Sequence, residues 1–324
     1  MTFRSSVDRH AAHIRAAIES KGEAHSSLVA SWKRSLSYHK LDPGDSRSPL
    51  RMADFEIARV QQALELLIRV AQPVLDRISN AVADAGACIV LSDSQGFIVD
   101  RRGKPPDDEF FKAVGLWPGS IWTEGSEGTN GIGTCIIEQR PVTILRDQHY
   151  LSRNSSMSCT TAPIFDHVGK LVATIDASSH RLGLKDPLIA LLGVLVADAA
   201  RQIEAELFRL AFPRCRIIVA PVLRANALLA VNSDDLLAGA TRAARVALKI
   251  TQATLDSPKP VALLIDAGGD AGLDLGAAEL GVLHRALAKA DGNVSSAARA
   301  LGISRATLHR KLKRNARATD TPPA

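Results

Sequence analysis

Basic side chains are the clearest candidates for a chemical role, and they are concentrated near the C-terminal end of the sequence. Between Glu279 and Arg317, nine lysines and arginines stand against two acids, which gives this stretch a net charge of +7. The whole chain of 324 residues carries +6, so the rest of it is almost neutral. A block of positive charge at this density points to a polyanionic partner.

The same stretch has the spacing of a compact helical unit. Leucines at three-to-four-residue intervals predict a first helix over 277–290. Ser295 or Ser296 is expected to cap a second, short helix, and Gly302 to make the sharp turn after it. Small alanines in the second helix allow another helix to pack closely against it.

Ser304 is expected to cap a third helix, over 305–312, in which Leu308 and Leu312 face inward. A helix, a short turn with glycine and a basic helix form the layout that places a recognition helix in the major groove of DNA. The residues predicted to contact double-stranded DNA are Ser304, Arg305, Thr307, His309, Arg310, Lys311, Lys313 and Arg314.

Position on the recognition helix separates the roles of these residues. Arg305 and Thr307, near its start, are the candidates for base contacts, while Arg310 and Lys311 are placed to hold phosphates. The alternative is a solvated basic helix without a partner. The capping serine, the glycine turn and the inward leucines all agree with one another, which favours the DNA-binding interpretation.

No other motif in the sequence has the spacing of a catalytic, nucleotide or metal site. A P-loop signature is absent, and Gly128, Gly131 and Gly133 do not fit the dinucleotide-binding pattern. Ser126 lacks the first glycine of a nucleophile elbow, because Glu124 stands there. No zinc-protease motif of two histidines on one helix turn is present either.

Three residues remain as isolated candidates for catalysis: His149, Cys159 and Asp166, whose spacing matches no known arrangement. The alternative roles for Cys159 are redox sensing or iron ligation, although no cluster of His, Cys and carboxylate surrounds it in the sequence. Four cysteines occur without any close pair, and we expect them to be free thiols. The sequence therefore predicts no enzyme, no metal and no cofactor.

A sheet is expected in the middle of the chain. From Ala87 onward, CIVLSD and GFIVDRR predict two strands around a turn, and PVTIL at 141–145 and LVATIDAS at 171–178 continue the sheet. The connection GSIWTEGSEGTNGIGTCIIEQR contains five glycines and is expected to be irregular over much of its length. Long connections of this kind tend to be functional.

A long helix is predicted to begin at Pro187, after the sheet. It carries an apolar stripe made of Leu188, Leu191, Leu192, Leu195, Ala199, Ile203 and Leu207. Two interpretations stay open, because such a stripe either pairs between subunits or packs on the sheet of its own chain. Downstream, CRIIVAPVLRANALLAVNSDDLLAGATRAARVAL predicts strands, a turn and a helix, and resembles a degenerate PAS-like element.

Two parts of the sequence resemble bacterial transcription regulators. DGNVSSAARALGISRATLHRKLKR resembles the Fis-type helix-turn-helix of NtrC-class regulators, which implies DNA binding as a dimer, with Leu280, Leu283 and Leu287 as possible dimer contacts. The phrases WTEGSEGTNGIGT, CTTAPIFD and GKLVATIDASS resemble the GAF sensor domain of regulators similar to the acetoin-catabolism activator. SWKRSLSYHKLDP, at 31–43, resembles the N-terminal region of the same group.

The resemblance implies a small-molecule effector, such as a small alcohol or ketone, in a mostly apolar pocket. The residues in the matching motifs, and hence the candidate ligand-binding residues, are Trp122, Thr129, Asn130, Ile132, Cys135, Cys159 and Asp176. Ordinary packing or loop structure is the alternative role for each. The family's AAA+ ATPase is missing, since neither its P-loop lysine nor a GAFTGA motif is present, so we expect no ATP-dependent sigma-54 activation from this chain alone.

These observations predict an α+β multidomain regulator that acts in the cytoplasm. Its expected regions are N-terminal helices (1–83), a GAF sensor domain (84–182), a connecting helix (183–211), a degenerate PAS-like region (212–266), a linker (267–276), a Fis-type helix-turn-helix (277–316) and a disordered tail (317–324). The expected partners are DNA, the effector, a second copy of the chain, and RNA polymerase or a related AAA+ activator. The alternative is an adaptor that modulates an AAA+ partner. No signal peptide or membrane span is expected.

Overall fold

The computed structural model describes residues 3–20, 26–82, 84, 86–181, 187–220, 226–257, 260, 261, 264, 279, 282, 283, 286, 287, 290 and 292–318, of which the side chains of 3–6 and 313–318 are not described. The chain divides into two units, Met1–Val261 and Ala262–Ala324. The expected linker (267–276) and most of the expected tail lie outside the described residues. No helix among those described has both the length and the apolar character needed to cross a bilayer.

Four helices precede the sheet: α1 (Phe3–Glu19), α2 (Ser27–Lys33, continued by a π-helical turn Arg34–Tyr38), α3 (Asp54–Ala63) and α4 (Glu65–Val82). Ser26 caps α2 by accepting a hydrogen bond from the Val29 amide. Ile14 of α1 and Trp32 of α2 are buried together against Tyr150. The N-terminal segment is thus folded onto the sheet domain.

The sheet has five antiparallel strands in the order β2-β1-β5-β4-β3. Their bounds are β1 (Ala87–Asp93), β2 (Ile98–Arg102), β3 (Val142–Leu145), β4 (Ser158–Phe165) and β5 (Leu171–Ser179). Strand β4, which carries CTTAPIF and lies between β5 and the edge strand β3, was not predicted from the periodicity, because it is buried along its whole length and shows no alternation.

Alternate residues of these strands line two different cores. One face packs against α4 and, farther along the chain, a long helix α8 (Pro187–Ala211), through residues such as Ile89, Leu91 and Ile175. The other face, with Cys88, Val90 and Cys159, lies beneath the segments that connect β2 to β3. This alternation follows from the two-residue repeat of a strand.

The connection between β2 and β3 is more regular than the glycine content predicts. It contains α5 (Asp108–Ala113), α6 (Glu124–Glu127) and α7 (Gly131–Glu138). The expectation of an irregular connection is wrong for these residues, because Thr123 and Asn130 cap α6 and α7 and the glycines sit where close packing requires them. At Gly131, a Cβ would lie 2.4 Å from the Thr161 hydroxyl.

Helix α8 settles part of the question left open for the apolar stripe. Leu192, Ala199 and Ile203 are buried against the sheet and α4 of the same chain. Leu188 and Leu191 are 42% and 61% exposed, so this part of the stripe does not pack on the sheet. Consecutive side chains on a helix point about 100° apart, so Leu191 faces away from the sheet while Leu192 packs on it.

After α8 the chain forms a small three-stranded antiparallel sheet and two short helices. Their bounds are β6 (Arg216–Val219), β7 (Leu228–Val231), β8 (Leu237–Ala240), α9 (Arg242–Ala247) and α10 (Gln252–Asp256). The predicted strand, turn and helix are therefore present. Phe208 of α8 packs against Leu228 and Ala230, which joins this sheet to the end of the long helix.

The C-terminal unit contains α11 (Val294–Ala300) and α12 (Arg305–Ala318), and described residues from 279 to 287 are also helical. Its core is formed by Leu283, Ala286, Ala297, Ala298 and Leu308. Leu283, a possible dimer contact by resemblance, is only 3% exposed and packs within its own chain. Leu280 lies outside the described residues.

Candidate functional site

Two hydrogen-bonded caps and a left-handed glycine build the helix-turn-helix. Asn293, and not Ser295 or Ser296, caps α11: its side chain accepts bonds from both of those serine amides at 3.1 Å. The expectation of a serine cap is wrong because Asn293, two and three positions before these serines, accepts hydrogen bonds from their free amides. Gly302, at φ 65°, then ends α11.

Ser304 caps the recognition helix α12 as predicted. Its hydroxyl accepts a hydrogen bond from the Thr307 amide at 3.1 Å and also contacts the Thr307 hydroxyl. This local bonding fixes where the helix begins. Leu308 is completely buried on the inner side of α12, so the rotation of the helix about its axis is fixed as well.

The predicted DNA contacts fall into three groups on α12. Ser304, Arg305, His309 and Arg310 are exposed. Thr307 and Lys311 are half-buried, and Lys311 forms an ion pair with Glu279. Lys313 and Arg314 belong to the same helix, but their side chains are not described. The exposed basic face therefore begins at the N-terminal end of α12, the part of a recognition helix that meets base edges.

Several of the predicted ligand-binding residues form hydrogen bonds that hold the sheet domain together. The Trp122 indole donates to the Gly115 carbonyl at 2.7 Å. The Asn130 carboxamide accepts from the Gly133 amide at 2.8 Å and so caps α7. The Thr129 hydroxyl lies 2.7 Å from the hydroxyl of Ser31. Ile132 and Cys135 of α7 are buried.

The structure brings Cys159 and Asp176 together on neighbouring strands. Thr161 and Ser178 donate hydrogen bonds to the Asp176 carboxylate at 2.5 and 2.6 Å, and the Ser178 hydroxyl also lies 2.9 Å from the Cys159 sulfur. Burial raises the pKa of Asp176 to about 6, against the two hydrogen bonds that lower it. Burial also raises the pKa of the Cys159 thiol, with the nearby Asp176 charge adding to the effect.

His149 extends this cluster toward the N-terminal helices. Its Nε2 lies 3.3 Å from the Cys159 sulfur, and its backbone carbonyl lies 3.0 Å from Nε2 of His10 in α1. Burial lowers the pKa of His149 to about 4, so the ring is neutral at physiological pH. Among the described residues, no group of three or more His, Cys, Asp or Glu is placed to hold a metal ion.

The sequence did not predict the most connected polar cluster, which we call the clasp: Ser31, Arg34, Glu124, Thr129 and Thr134. The Glu124 carboxylate is 2% exposed and receives two bonds from the Arg34 guanidinium at 2.8 Å, with further bonds from Ser31 and Thr134. Burial opposes the charge of Glu124, but the bonds from Arg34 and Ser31 outweigh it and lower the pKa of this carboxyl.

The clasp joins the two sequence phrases that carried the resemblance, SWKRS and WTEGSEGTNGIGT. A nearby pair repeats the arrangement: Arg153 and Asn154 donate to the buried Glu127 carboxylate at 2.6 and 3.0 Å. The signal in the sequence was the presence of both acids within one glycine-rich motif, but apart from Thr134 their partners lie 26 to 93 positions away.

A surface groove of about 530 Å³ lies between the end of α7, the edge strand β3 and α8. Thr134, Arg140, Thr143, Val194 and Arg201 are among its lining residues. None of the seven predicted ligand-binding residues lines this groove. They lie instead on β4, β5 and α7 and in the segments before α6 and α7.

Two families match the chain. Residues 275–314 match the family "Bacterial regulatory protein, Fis family". Residues 10–205, which are more than half of the chain, match the family "MimR, N-terminal domain". The chain belongs to the MimR N-terminal domain family. Its match to this family includes the clasp, the sheet and most of α8, and the Fis-family match includes α11 and most of α12.

Two similar proteins are transcription regulators by name. The acetoin catabolism regulatory protein of Cupriavidus necator is 29% identical over 157 residues, which are 48% of this chain and 24% of that protein. The propane 2-monooxygenase operon transcriptional activator MimR of Mycolicibacterium smegmatis is 31% identical over 186 residues, 56% of this chain and 30% of that protein. The chain spans less than a third of the length of these relatives.

Solved structures support the fold. The crystal structure of the E. coli DhaR(N)-DhaL complex contains a chain that matches this one with a TM-score of 0.53 and 17% sequence identity. The match covers 69% of this chain and 77% of that one. The MimR N-terminal domain and the Fis-family match are separated by only residues 206–274, too few for an AAA+ ATPase domain.

Proposed function

We propose that this protein is a sequence-specific, DNA-binding transcription regulator that reads DNA with α12. The observation that carries the proposal is the exposed basic face of this helix, within a capped helix-turn-helix that matches the Fis family. Base contacts come from Arg305 and Thr307, and Arg310, Lys311, Lys313 and Arg314 hold phosphates. Such a regulator acts in the cytoplasm of a bacterial cell.

The N-terminal region is proposed to be a GAF-type sensor domain that responds to a small metabolite. The five-stranded antiparallel sheet with α7 packed on one face supports this assignment, as does the regulatory role named for the relatives. An effector changes DNA binding only if it binds the two states of the protein with different affinity. The β6–β8 sheet is proposed to be a degenerate PAS-like element between sensor and DNA-binding unit.

The protein is further proposed to bind DNA as a homodimer and to act without ATP hydrolysis. The chain between the two matched regions is too short for an ATPase domain. The protein therefore regulates transcription by occupying DNA directly or by contacting RNA polymerase or a related AAA+ activator. Two linked helix-turn-helix units bind two half-sites more tightly than either unit alone.

The test begins with selection of bound sequences from a random DNA pool by the full chain. Affinity for the selected sequence is then expected to fall about 10³-fold between roughly 50 and 200 mM salt, because several phosphate contacts release counterions. Arg305→Ala is expected to relax base preference at one position, and Arg310→Ala to weaken all sequences alike and reduce the salt slope by about one.

Arg59→Ala is the matched control, since Arg59 is an exposed arginine on α3, outside the DNA-binding unit. It removes the same charge and is expected to leave both affinity and salt slope unchanged. The proposal would be contradicted if Arg59→Ala and Arg305→Ala changed DNA binding equally, or if the affinity for DNA did not depend on salt concentration.

A further inference from the structure

Arg101, on β2, is a buried cation whose hydrogen-bonding groups are only partly used. Its side chain is 6% exposed, and Nη1 donates to the Asp108 carboxylate at 2.7 Å. Nε and Nη2 are buried as well, and neither has a hydrogen-bond partner among the described residues. A buried donor without a partner is costly, so two of them on one side chain call for an explanation.

The two unpartnered nitrogens lie on the same edge of the guanidinium. Nε–H and one N–H of Nη2 point in parallel from that edge, which is the geometry that matches the two oxygens of a carboxylate. Aromatic rings hold the plane in place: the guanidinium carbon lies 4.5 Å from the centre of the Trp117 ring and 5.1 Å from that of Phe111. The fork is therefore positioned in advance, at little entropic cost to binding.

Gly103 and Cys88 lie directly beside this edge, where a side chain larger than that of glycine would contact the guanidinium. A Cβ at Gly103 would lie 2.8 Å from Nη2 of Arg101 and 3.1 Å from the Cβ of Cys88. Gly103 itself is exposed, so the free edge lies close to the surface. The neighbouring Cys88 thiol offers Arg101 only a weak acceptor. Burial raises the pKa of this thiol to about 12, against the charge and hydrogen bond of Arg101, which lower it, and the thiol stays neutral.

Two of the carboxylates near Arg101 are already paired with arginines. Asp108 pairs with Arg101, and Asp107 pairs with Arg181. Lys112 then adds a positive charge, 4.5 Å from the centre of the Trp117 ring. His180 lies beside these groups, with its Nε2 3.7 Å from Asp107 and its Nδ1 also buried without a partner.

We propose that the sensor domain binds a small carboxylate, whose two oxygens accept parallel hydrogen bonds from Nε and Nη2 of Arg101. The apolar body of this effector lies against the half-buried ring of Trp117. The inference rests on the proposed function of the domain as a sensor, and it specifies an acidic effector where the resemblance implied an alcohol or ketone.

The direct test measures binding of propanoate, butanoate and pyruvate to the full chain by calorimetry, at constant ionic strength. Each acid is compared with its uncharged amide. At least one acid is expected to bind saturably, and its amide to bind at least about tenfold more weakly, since it lacks the charge that strengthens the two bonds.

Two variants place the site. Arg101→Lys keeps the charge but loses the planar fork, and Gly103→Ala puts a methyl group where the Arg101 edge lies, at a position whose backbone accepts alanine. Each is expected to weaken acid binding by about tenfold or more. Arg102→Lys is the matched control, because Arg102 pairs with Asp76 and Asp100, and it is expected to bind the acid as the unmodified chain does.

Binding of the selected DNA is measured in the same samples, so that the two proposals are judged separately. Salt-dependent DNA binding without saturable binding of any of the acids overturns the carboxylate inference and leaves the regulator standing. Equal binding of acid and amide, or unchanged acid binding by both Arg101→Lys and Gly103→Ala with normal thermal unfolding, overturns it too. Acid binding without DNA binding refutes the proposed function instead.

Discussion

Buried charged side chains link separate elements of the sheet domain through their hydrogen bonds, and Glu124 is the clearest case. Its carboxylate is removed from water, yet four donor groups from α2, the following π-helical turn and α7 surround it. A buried carboxylate is tolerated only when its partners replace the lost hydration. The clasp therefore makes the N-terminal segment and the glycine-rich motif depend on each other.

Removing one partner of this ion pair is expected to be costly. Arg34→Ala should lower the free energy of unfolding by roughly 2 kcal/mol, somewhat less than for a fully buried pair, because a third of the Arg34 side chain reaches solvent. Arg15→Ala is the control: the Arg15–Asp42 pair is exposed, at 48% and 64%, and its loss should cost about 0.5 kcal/mol or less. Urea unfolding measures both, and similar costs would refute the role given to the clasp.

Asp176 is expected to make stability depend on pH. An aspartate normally titrates near 3.8, and burial raises the pKa of Asp176 to about 6, so the folded chain holds this proton more tightly than the unfolded one. The contribution of Asp176 to the free energy of unfolding is therefore largest below pH 3.8, and it falls as the pH rises toward 6. The loss amounts to roughly 3 kcal/mol.

Comparison with Asp176→Asn isolates that effect, because asparagine does not titrate. Relative to the variant, the unmodified chain should lose stability between pH 4 and 6 and then remain level. His149, whose pKa is lowered to about 4, acts in the opposite direction but is present in both proteins. If the difference in free energy of unfolding between the two proteins stays constant from pH 4 to 7, the pKa of Asp176 is not raised.

At the scale of elements, local sequence decides where the helices of the DNA-binding unit begin and end. Asn293 and Ser304 each satisfy free amides at a helix start, and Gly302 adopts the left-handed conformation between them. These interactions involve neighbours within a few positions. The unit can therefore form the same turn whatever surrounds it.

Asn293→Ala tests which residue caps α11. The substitution removes two hydrogen bonds and should destabilise the helix by about 1 kcal/mol. Ser295→Ala and Ser296→Ala serve as controls, since both side chains are exposed and neither supplies the cap. Hydrogen exchange of the α11 amides in the full chain measures the difference. Faster exchange in a serine variant than in Asn293→Ala would show that the serine, and not Asn293, caps the helix.

At the scale of the whole molecule, α8 has two roles. Its inner face belongs to the core of the sheet domain, while Leu188, Leu191 and Val194 form an exposed apolar row at three-residue spacing. An exposed row on a long helix is the pattern of a helix that pairs with another. The proposed homodimer would cover this row.

A double substitution, Leu191→Asp with Val194→Asp, is expected to convert a dimer into a monomer without disturbing the core, because both side chains are exposed. Affinity for the selected DNA should fall by about 10²-fold as the second binding event ceases to be intramolecular. Val246→Asp, at a 57% exposed valine on α9, is the control. Light scattering gives the mass, and a variant that stays dimeric would show that α8 is not the interface.

The helix-turn-helix was the part best predicted from the sequence, because its information is local. The glycine turn, the Ser304 cap and the inward Leu308 all depend on spacings of a few residues. The fold of the unit follows from them. The one error was the cap of α11, which was predicted two or three positions too late because Asn293, Ser295 and Ser296 are all residue types that can cap a helix. The periodicity of β1, β2, β3 and β5 was predictable for the same reason.

The partners of the buried polar groups in the sheet domain were decided by tertiary structure. Ser31 and Glu124 are 93 positions apart, and no spacing rule predicts their hydrogen bond. The sequence marked Trp122, Asn130 and Thr129 as binding residues, and the structure gives them bonds that hold the fold. Arg101 was not marked at all, because a free guanidinium edge exists only once Trp117, Phe111 and Gly103 surround it. Local sequence thus determined the helix that we propose meets DNA, whereas burial in three dimensions decided which polar groups are satisfied and which are not.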